Sequence, residues 1–231
     1  MKKILLPSLI ISFLFRCSAD VSNSTLETTL QHTGGQSLGD ATSLYWFTDR
    51  LTVPLSGADY VVAGDYGNYK TSYRWEDGSV RELIREGEKL RTGAGLVPYK
   101  IHVRFNQQGE AVYQQYRIDG KGLPLKPAML TQLKNEAANV AQKTKAQDKA
   151  GVELIQGYWD GREFDACAGK EFQTLEFNQS LPSFVVDRLA GIDNYVVFVG
   201  SKNGDRLIVE DLLMLKDDNQ SCIERPQLLE E

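Results

Sequence analysis

Gly35-Gln36-Ser37-Leu38-Gly39 matches the G-x-S-x-G pattern in which a serine attacks an acyl carbon. That serine works from a sharp turn between a buried strand and a helix, which exposes its hydroxyl. Here a polar stretch precedes it and a strand pattern follows, so the match is read as chance in a Gly/Ser-rich linker. His102 is a candidate general base. A base wants an orienting carboxylate and a nucleophile in a cleft, yet its companions on the strand face are Lys100 and Arg104. The three are read as a solvated face, and as the residues that would meet an anionic ligand. Asp160, Glu163 and Asp165 beside Trp159 are the acids most suggestive of two-carboxylate glycoside hydrolysis. A hairpin turn has the same composition for no catalytic reason. Trp159 and Phe164 are the aromatic candidates for a ligand-facing surface.

With three Cys and two His in 231 residues, a multi-ligand zinc site, a disulfide-dense scaffold and a haem-attachment motif are excluded. No phosphate-cradling Gly-Lys loop, EF-hand, zincin or dinucleotide fingerprint occurs. No cofactor and no metal are expected. Residues 70–104 hold eight Lys/Arg and five acids, while residues 205–231 hold eight acids and three bases. The first stretch offers a weakly positive face to an anionic partner such as a lipid headgroup or glycan phosphate. Its competing reading is a solvated sheet with cross-strand ion pairs.

The elements that must position these residues change character along the chain. Residues 20–40, rich in Ser, Thr, Gly and Gln, read as a flexible leader, with His32 unstructured inside it. Residues 41–122 read as an antiparallel β module. Tyr99, Ile101, Val103 and Phe105 alternate with Lys100, His102 and Arg104, the period of a strand with one wet face. Asp77-Gly78 and Asn106–Gly109 supply hairpin turns. Residues 123–150 hold a connecting helix: Leu130, Leu133, Ala137, Val140, Ala141 and Thr144 recur at helical spacing, with Pro127 at its start and Gly151 beyond its end. Residues 151–231 read as strands, a short helix and a final hairpin across Asn203-Gly204, in the order of an OB-like small barrel, with an acidic tail. The fold class is therefore α+β, mostly antiparallel β. Such a barrel suits an oligosaccharide or peptide ligand.

Residues 1–19 carry an export signal. Lys2 and Lys3 precede Ile4–Phe15, a mainly apolar stretch too short to span a bilayer but suited to a secretory signal. Two cleavage readings stand. Leu14-Phe15-Arg16-Cys17 is similar to the lipobox of bacterial lipoproteins, in which Cys17 would be acylated, although Arg16 departs from the small residue usual there. Cys17-Ser18-Ala19 is a small-x-small site for general cleavage after Ala19. Either takes three cations and no acid with the signal, moving the formal net charge from −5 to −8, which leaves no general attraction for nucleic acid. The only expected link to a membrane is a lipid on Cys17. In the oxidising periplasm Cys167 and Cys222 are expected to form a disulfide.

The runs ADYVVAGDYG (58–67), YRWEDGSVREL (73–83), VPYKIHVRF (97–105) and GYWDG (157–161) resemble a family of exported Gram-negative proteins, domain of unknown function 1481. The resemblance covers nearly all of the chain after the signal. It implies an envelope location and, in many members, a lipobox; it implies no activity and no catalytic residues. The expectation is a non-enzymatic binding or structural protein of the periplasm, free or anchored to the outer membrane, whose partner is an envelope protein or a glycan. The alternative is a carboxylate-based hydrolase of a cell-wall or small-molecule substrate.

Overall fold

A computed structural model describes residues 29–228. The segment read as an export signal, Cys17 and the first part of the leader lie outside the described residues.

Eight strands follow one another: β1 (Thr29–Leu38), β2 (Ala41–Arg50), β3 (Val53–Ala63), β4 (Gly67–Glu76), β5 (Ser79–Arg91), β6 (Gly95–Phe105), β7 (Ala111–Ile118) and β8 (Lys121–Gly122). Each pairs antiparallel with the next, so the sheet is a plain meander. Asp77-Gly78 and Asp119-Gly120 turn with φ positive at both residues, the hairpin geometry that Asp-Gly favours. Leu51-Thr52 makes the same kind of turn at φ of 49° and 71°, where neither side chain is at ease.

The helix α1 (Pro127–Lys149) starts at Pro127 and is followed by Gly151 at φ 76°, as the sequence predicts. Leu133, Ala137, Val140 and Thr144 form its buried stripe. That stripe lies in one face of the meander, against Tyr45, Phe47, Tyr73, Leu83, Ile101 and Val103.

The C-terminal half holds β9 (Glu153–Trp159), β10 (Phe164–Ala166), β11 (Glu171–Phe172), β12 (Thr174–Phe177), α2 (Ser183–Gly191), β13 (Asn194–Asn203) and β14 (Arg206–Asp217). Their order across the sheet is β11-β10-β9-β13-β14-β12. The two edge strands are separated in sequence by Gln173 alone, so the sheet is nearly closed and barrel-like. β12 beside β14 is its parallel pair. Residues 171–177 are thus split, each piece serving the opposite edge. The final turn is Gly204-Asp205, since Asn203 pairs with Arg206.

Alternation along β13 joins the two halves. Val196 and Phe198 enter the barrel core with Phe164, Phe172 and Leu207. Tyr195, Val197 and Val199 face the other way, onto Leu44, Trp46, Tyr60 and Val62 of β2 and β3. β2 is therefore covered twice, by α1 on the side of Tyr45 and Phe47 and by the barrel on the side of Leu44 and Trp46. The Cys167–Cys222 disulfide is formed, with Cα atoms 6.0 Å apart, and links the end of the β9–β10 region to the tail. Beyond it Arg225 donates to Thr48 Oγ1 and Ser56 Oγ, both at 2.8 Å, and pins that tail on the meander.

The leader reading is corrected over residues 29–38, which form β1. A Cβ on Gly35 would lie 2.7 Å from the Ser43 carbonyl oxygen and 2.5 Å from Leu213 Cδ1, so this glycine allows the close approach of β2 and β14. Gln147 of α1 then accepts from the Gly35 amide at 3.0 Å and donates to its carbonyl at 2.8 Å, satisfying that residue's backbone on the edge strand. A polar, Gly-rich segment is held here by backbone complementarity, which hydrophobic periodicity does not register.

Candidate functional site

Register places one row of residues across the helix-covered face: Tyr45 opposite Asp59, Asp59 opposite Thr71, Thr71 opposite Arg85, Arg85 opposite Ile101 and Ile101 opposite Tyr116. Three polar side chains thus sit in an otherwise aromatic and aliphatic interior. Buried charges persist only when paired and hydrogen-bonded. Arg85 donates to Thr71 Oγ1 at 2.8 Å, to the Tyr73 hydroxyl at 3.3 Å and to Glu136 of α1 at 2.7 Å. Its guanidinium also lies 3.9 Å over the Tyr69 ring. Asp59 accepts from the Tyr73 hydroxyl at 2.7 Å and stands 3.9 Å from Arg85. Its other carboxylate oxygen, Oδ1, is buried with no hydrogen-bond partner. Burial raises the Asp59 carboxyl against the pull of Arg85. Burial alone would lower Arg85, but Tyr73, Asp59 and Glu136 hold it raised.

Next to this row, a recess of about 150 Å³ opens between the sheet and the N-terminal half of α1. Ile101, Met129 and Leu133 give it an apolar wall; Arg85, Lys89, Tyr99, Tyr116 and Gln132 give it polar atoms. Lys89 donates to the Tyr116 hydroxyl at 3.4 Å and lies 5.7 Å from the Tyr99 ring centre. Burial pushes the Tyr99 hydroxyl up to about 12, so it stays protonated and able to donate. The recess can hold a small molecule by donated hydrogen bonds and aromatic contact.

The residues singled out in the sequence lie elsewhere. Lys100, His102 and Arg104 are on the opposite, outer face of β6. Glu82 of β5 lies among them: His102 Nε2 and Arg104 Nε each stand 2.7 Å from Glu82 Oε1, and Arg74 Nη2 is 3.2 Å from Oε2. Burial would raise Glu82, but the hydrogen bonds from Arg104 and His102 outweigh it and bring the carboxyl down to about 2. Lys100 pairs with Glu86. His102 thus does have a carboxylate, supplied by the neighbouring strand, but as part of a cross-strand ion network on a sheet surface.

Phe164 is fully buried in the barrel core, so its ligand-facing reading is corrected; its alternation on the three-residue β10 turns it inward. Trp159 is half-buried, packs on the same core and donates its indole N–H to the Leu189 carbonyl at 3.0 Å. Asp160, Glu163 and Asp165 are exposed. Asp160 Oδ1 accepts the Arg162 and Glu163 amides, both at 2.7 Å, which lowers its carboxyl, the opposite of what a general acid needs. Ser37 is an exposed residue of β1 and not part of a strand-to-helix turn. His32, expected unstructured, is buried in β1, with Nε2 3.3 Å from Asp49 and Nδ1 3.2 Å from Asp148 of α1. Lys145 completes that cluster 2.7 Å from Asp49, and the group fastens β1 and β2 to the helix. Among the described residues, no group of three or more His, Cys, Asp and Glu is arranged to hold a metal ion, and no helix is long and apolar enough to cross a membrane.

Asp59, Arg85, Glu136 and Lys89 were not anticipated. A signal existed: Arg85 shares its strand parity with the core residue Leu83, and Asp59 interrupts the apolar run 58–63. A charge on an inward parity needs a partner, and that requirement could have flagged both.

These features define an α+β protein in which a helix fills one face of an eight-strand meander, a barrel-like sheet covers part of the other, and an ion-paired polar row borders a small recess. The model of the family described as "Protein of unknown function (DUF1481)" matches residues 33–227, and the chain belongs to that family. No curated protein and no solved structure matches this chain.

Proposed function

We propose that the protein is an exported, non-enzymatic binding protein of the bacterial cell envelope. It works in the periplasm, free or held to the outer membrane by a lipid on Cys17, and holds a ligand or an envelope partner without transforming it. The observation that carries this reading is the Cys167–Cys222 bond between the β9–β10 region and the tail. Bonds of that kind persist in oxidising compartments and are rare in the cytosol. The Lys2-Lys3 start and the apolar stretch Ile4–Phe15 agree with it. Binding is favoured over catalysis because, among the described residues, no acid lines the recess: Glu136 is committed to Arg85, and Asp59 is buried beneath Tyr73 and Arg85. What the recess presents to a visitor is a set of donors and aromatic faces.

Cell fractionation with intact-mass measurement tests the proposal. The expected product begins at Asp20, or at an acylated Cys17, in the envelope fraction, with Cys167 and Cys222 two hydrogens lighter than the dithiol. A full-length chain in the cytosol, Met1 retained and both thiols free, would overturn it.

A further inference from the structure

The side of β5 that faces α1 carries Arg85, Lys89 and Arg91 at one strand parity, with Gly87 between the first two. Their circumstances differ. Arg91 is at the exposed rim, 3.5 Å from Asp119. Arg85 is deep and matched by Glu136 and Asp59. Lys89, between them, is half-buried and its contacts are the Tyr116 hydroxyl and the Tyr99 ring; it makes no ion pair among the described residues. Lys89 is therefore the cation of the recess lining with no carboxylate at ion-pair distance among the described residues.

We infer that the recess between β5, β6 and the start of α1 is a binding site for a small organic carboxylate, its anionic end on Lys89 and its apolar body against Ile101, Leu133 and Met129. The charge of the ligand's polar end follows from Lys89, whose ammonium has no carboxylate partner among the described residues and is met by one anionic group. A carboxylate fits the donors, since the Lys89 ammonium and the Tyr99 and Tyr116 hydroxyls can each give it a hydrogen bond. The guanidinium of the lining, which could clamp a phosphate through its fork, is already occupied by Glu136. The size follows from the volume. A cavity of about 150 Å³ takes one benzene-sized body. The apolar wall and the Tyr faces provide contact for such a body, and at that size the carboxylate must sit at the open, Lys89 side.

The site deepens the binding reading proposed above but stands on the recess alone. Its test is done with purified protein, so a cytosolic location would sink the export proposal and leave this one intact. Benzoate, cyclohexanecarboxylate, the neutral isostere benzamide and inorganic phosphate are titrated calorimetrically, and by NMR of the Met129 methyl group, into the wild type, Lys89→Met and Met129→Trp. Lys89→Met keeps the stem that packs on Tyr99 and removes the charge; Met129→Trp fills the recess from the half-exposed helix face; thermal melts confirm that both variants are folded. At least one carboxylate should bind with a Kd below about 1 mM, benzamide and phosphate at least about tenfold more weakly, and both variants should lose about tenfold or more. The inference is overturned if neither carboxylate binds by about 10 mM. It is equally overturned if benzamide or phosphate binds as well as benzoate, or if the folded Lys89→Met binds benzoate as the wild type does.

Discussion

Glu82→Gln is the sharpest test of how the outer face of the meander is held. Glu82 lies under Arg74, His102 and Arg104, which with their hydrogen bonds bring its carboxyl from 4.5 down to about 2. At about 1.36 kcal/mol per pKa unit the linkage has a ceiling of about 3 kcal/mol. The Arg74 and Arg104 side chains are 43% and 42% exposed, so water and salt screen them. We therefore expect about 1–2 kcal/mol for the glutamate at pH 7. The sign is that of a depressed carboxyl: the stabilisation is fully present above the unfolded value near 4.5 and fades as pH falls toward 2. Urea unfolding of the wild type and Glu82→Gln at pH 7, 4 and 3 measures it. The gap between the two proteins should be largest at pH 7, shrink below pH 4.5, and narrow at pH 7 in about 1 M salt. A gap that is absent at pH 7, or unchanged from pH 7 to 3, would refute the ion-network account.

Other expectations follow from separate parts of the molecule. Replacing Cys167 and Cys222 by Ser removes a crosslink over a separation of 55 residues, and should lower the unfolding free energy by up to about 4 kcal/mol in urea titrations. Arg85→Met leaves Asp59 and Glu136 without their cation and should cost about 3–5 kcal/mol. Adding Asp59→Asn should recover part of that loss, and a single-variant cost below about 1 kcal/mol would contradict the pairing described. Leu51→Asn with Thr52→Gly places turn residues at the two positive-φ positions and should raise stability by about 1–2 kcal/mol, read as a higher melting temperature.

The meander and the helix were legible because their signals are local. Alternation at 99–105, Asp-Gly turns and the Leu133–Ala137–Val140–Thr144 stripe each specify an element without reference to the rest of the chain. β1 was not legible, because its place is set by what a glycine lets approach and by Gln147 reaching its backbone from more than a hundred residues away. The polar row was hidden for a related reason. Asp59, Arg85 and Glu136 lie 26 and 51 residues apart in sequence and meet only through strand register and helix docking. Lys100, His102 and Arg104 were correctly grouped on one strand face, but the carboxylate that unites them belongs to the strand beside it. Phe164 and Trp159 show the limit of aromatic composition as a guide: on short strands of a near-closed sheet, the inward parity takes the ring.

The sandwiched position of β2 has a mechanical consequence. Phe47 and Trp46 are adjacent on one backbone, yet one belongs to the helix side and the other to the barrel side. Loosening either layer strips this strand of half its cover, so neither layer can let go without weakening its neighbour. A chain divided after α1 would leave Leu44, Trp46, Tyr60 and Val62 wet, an invitation to stick to other chains. Heated whole, the molecule should give way in a single calorimetric peak, with the near-UV signals of its tryptophans lost together.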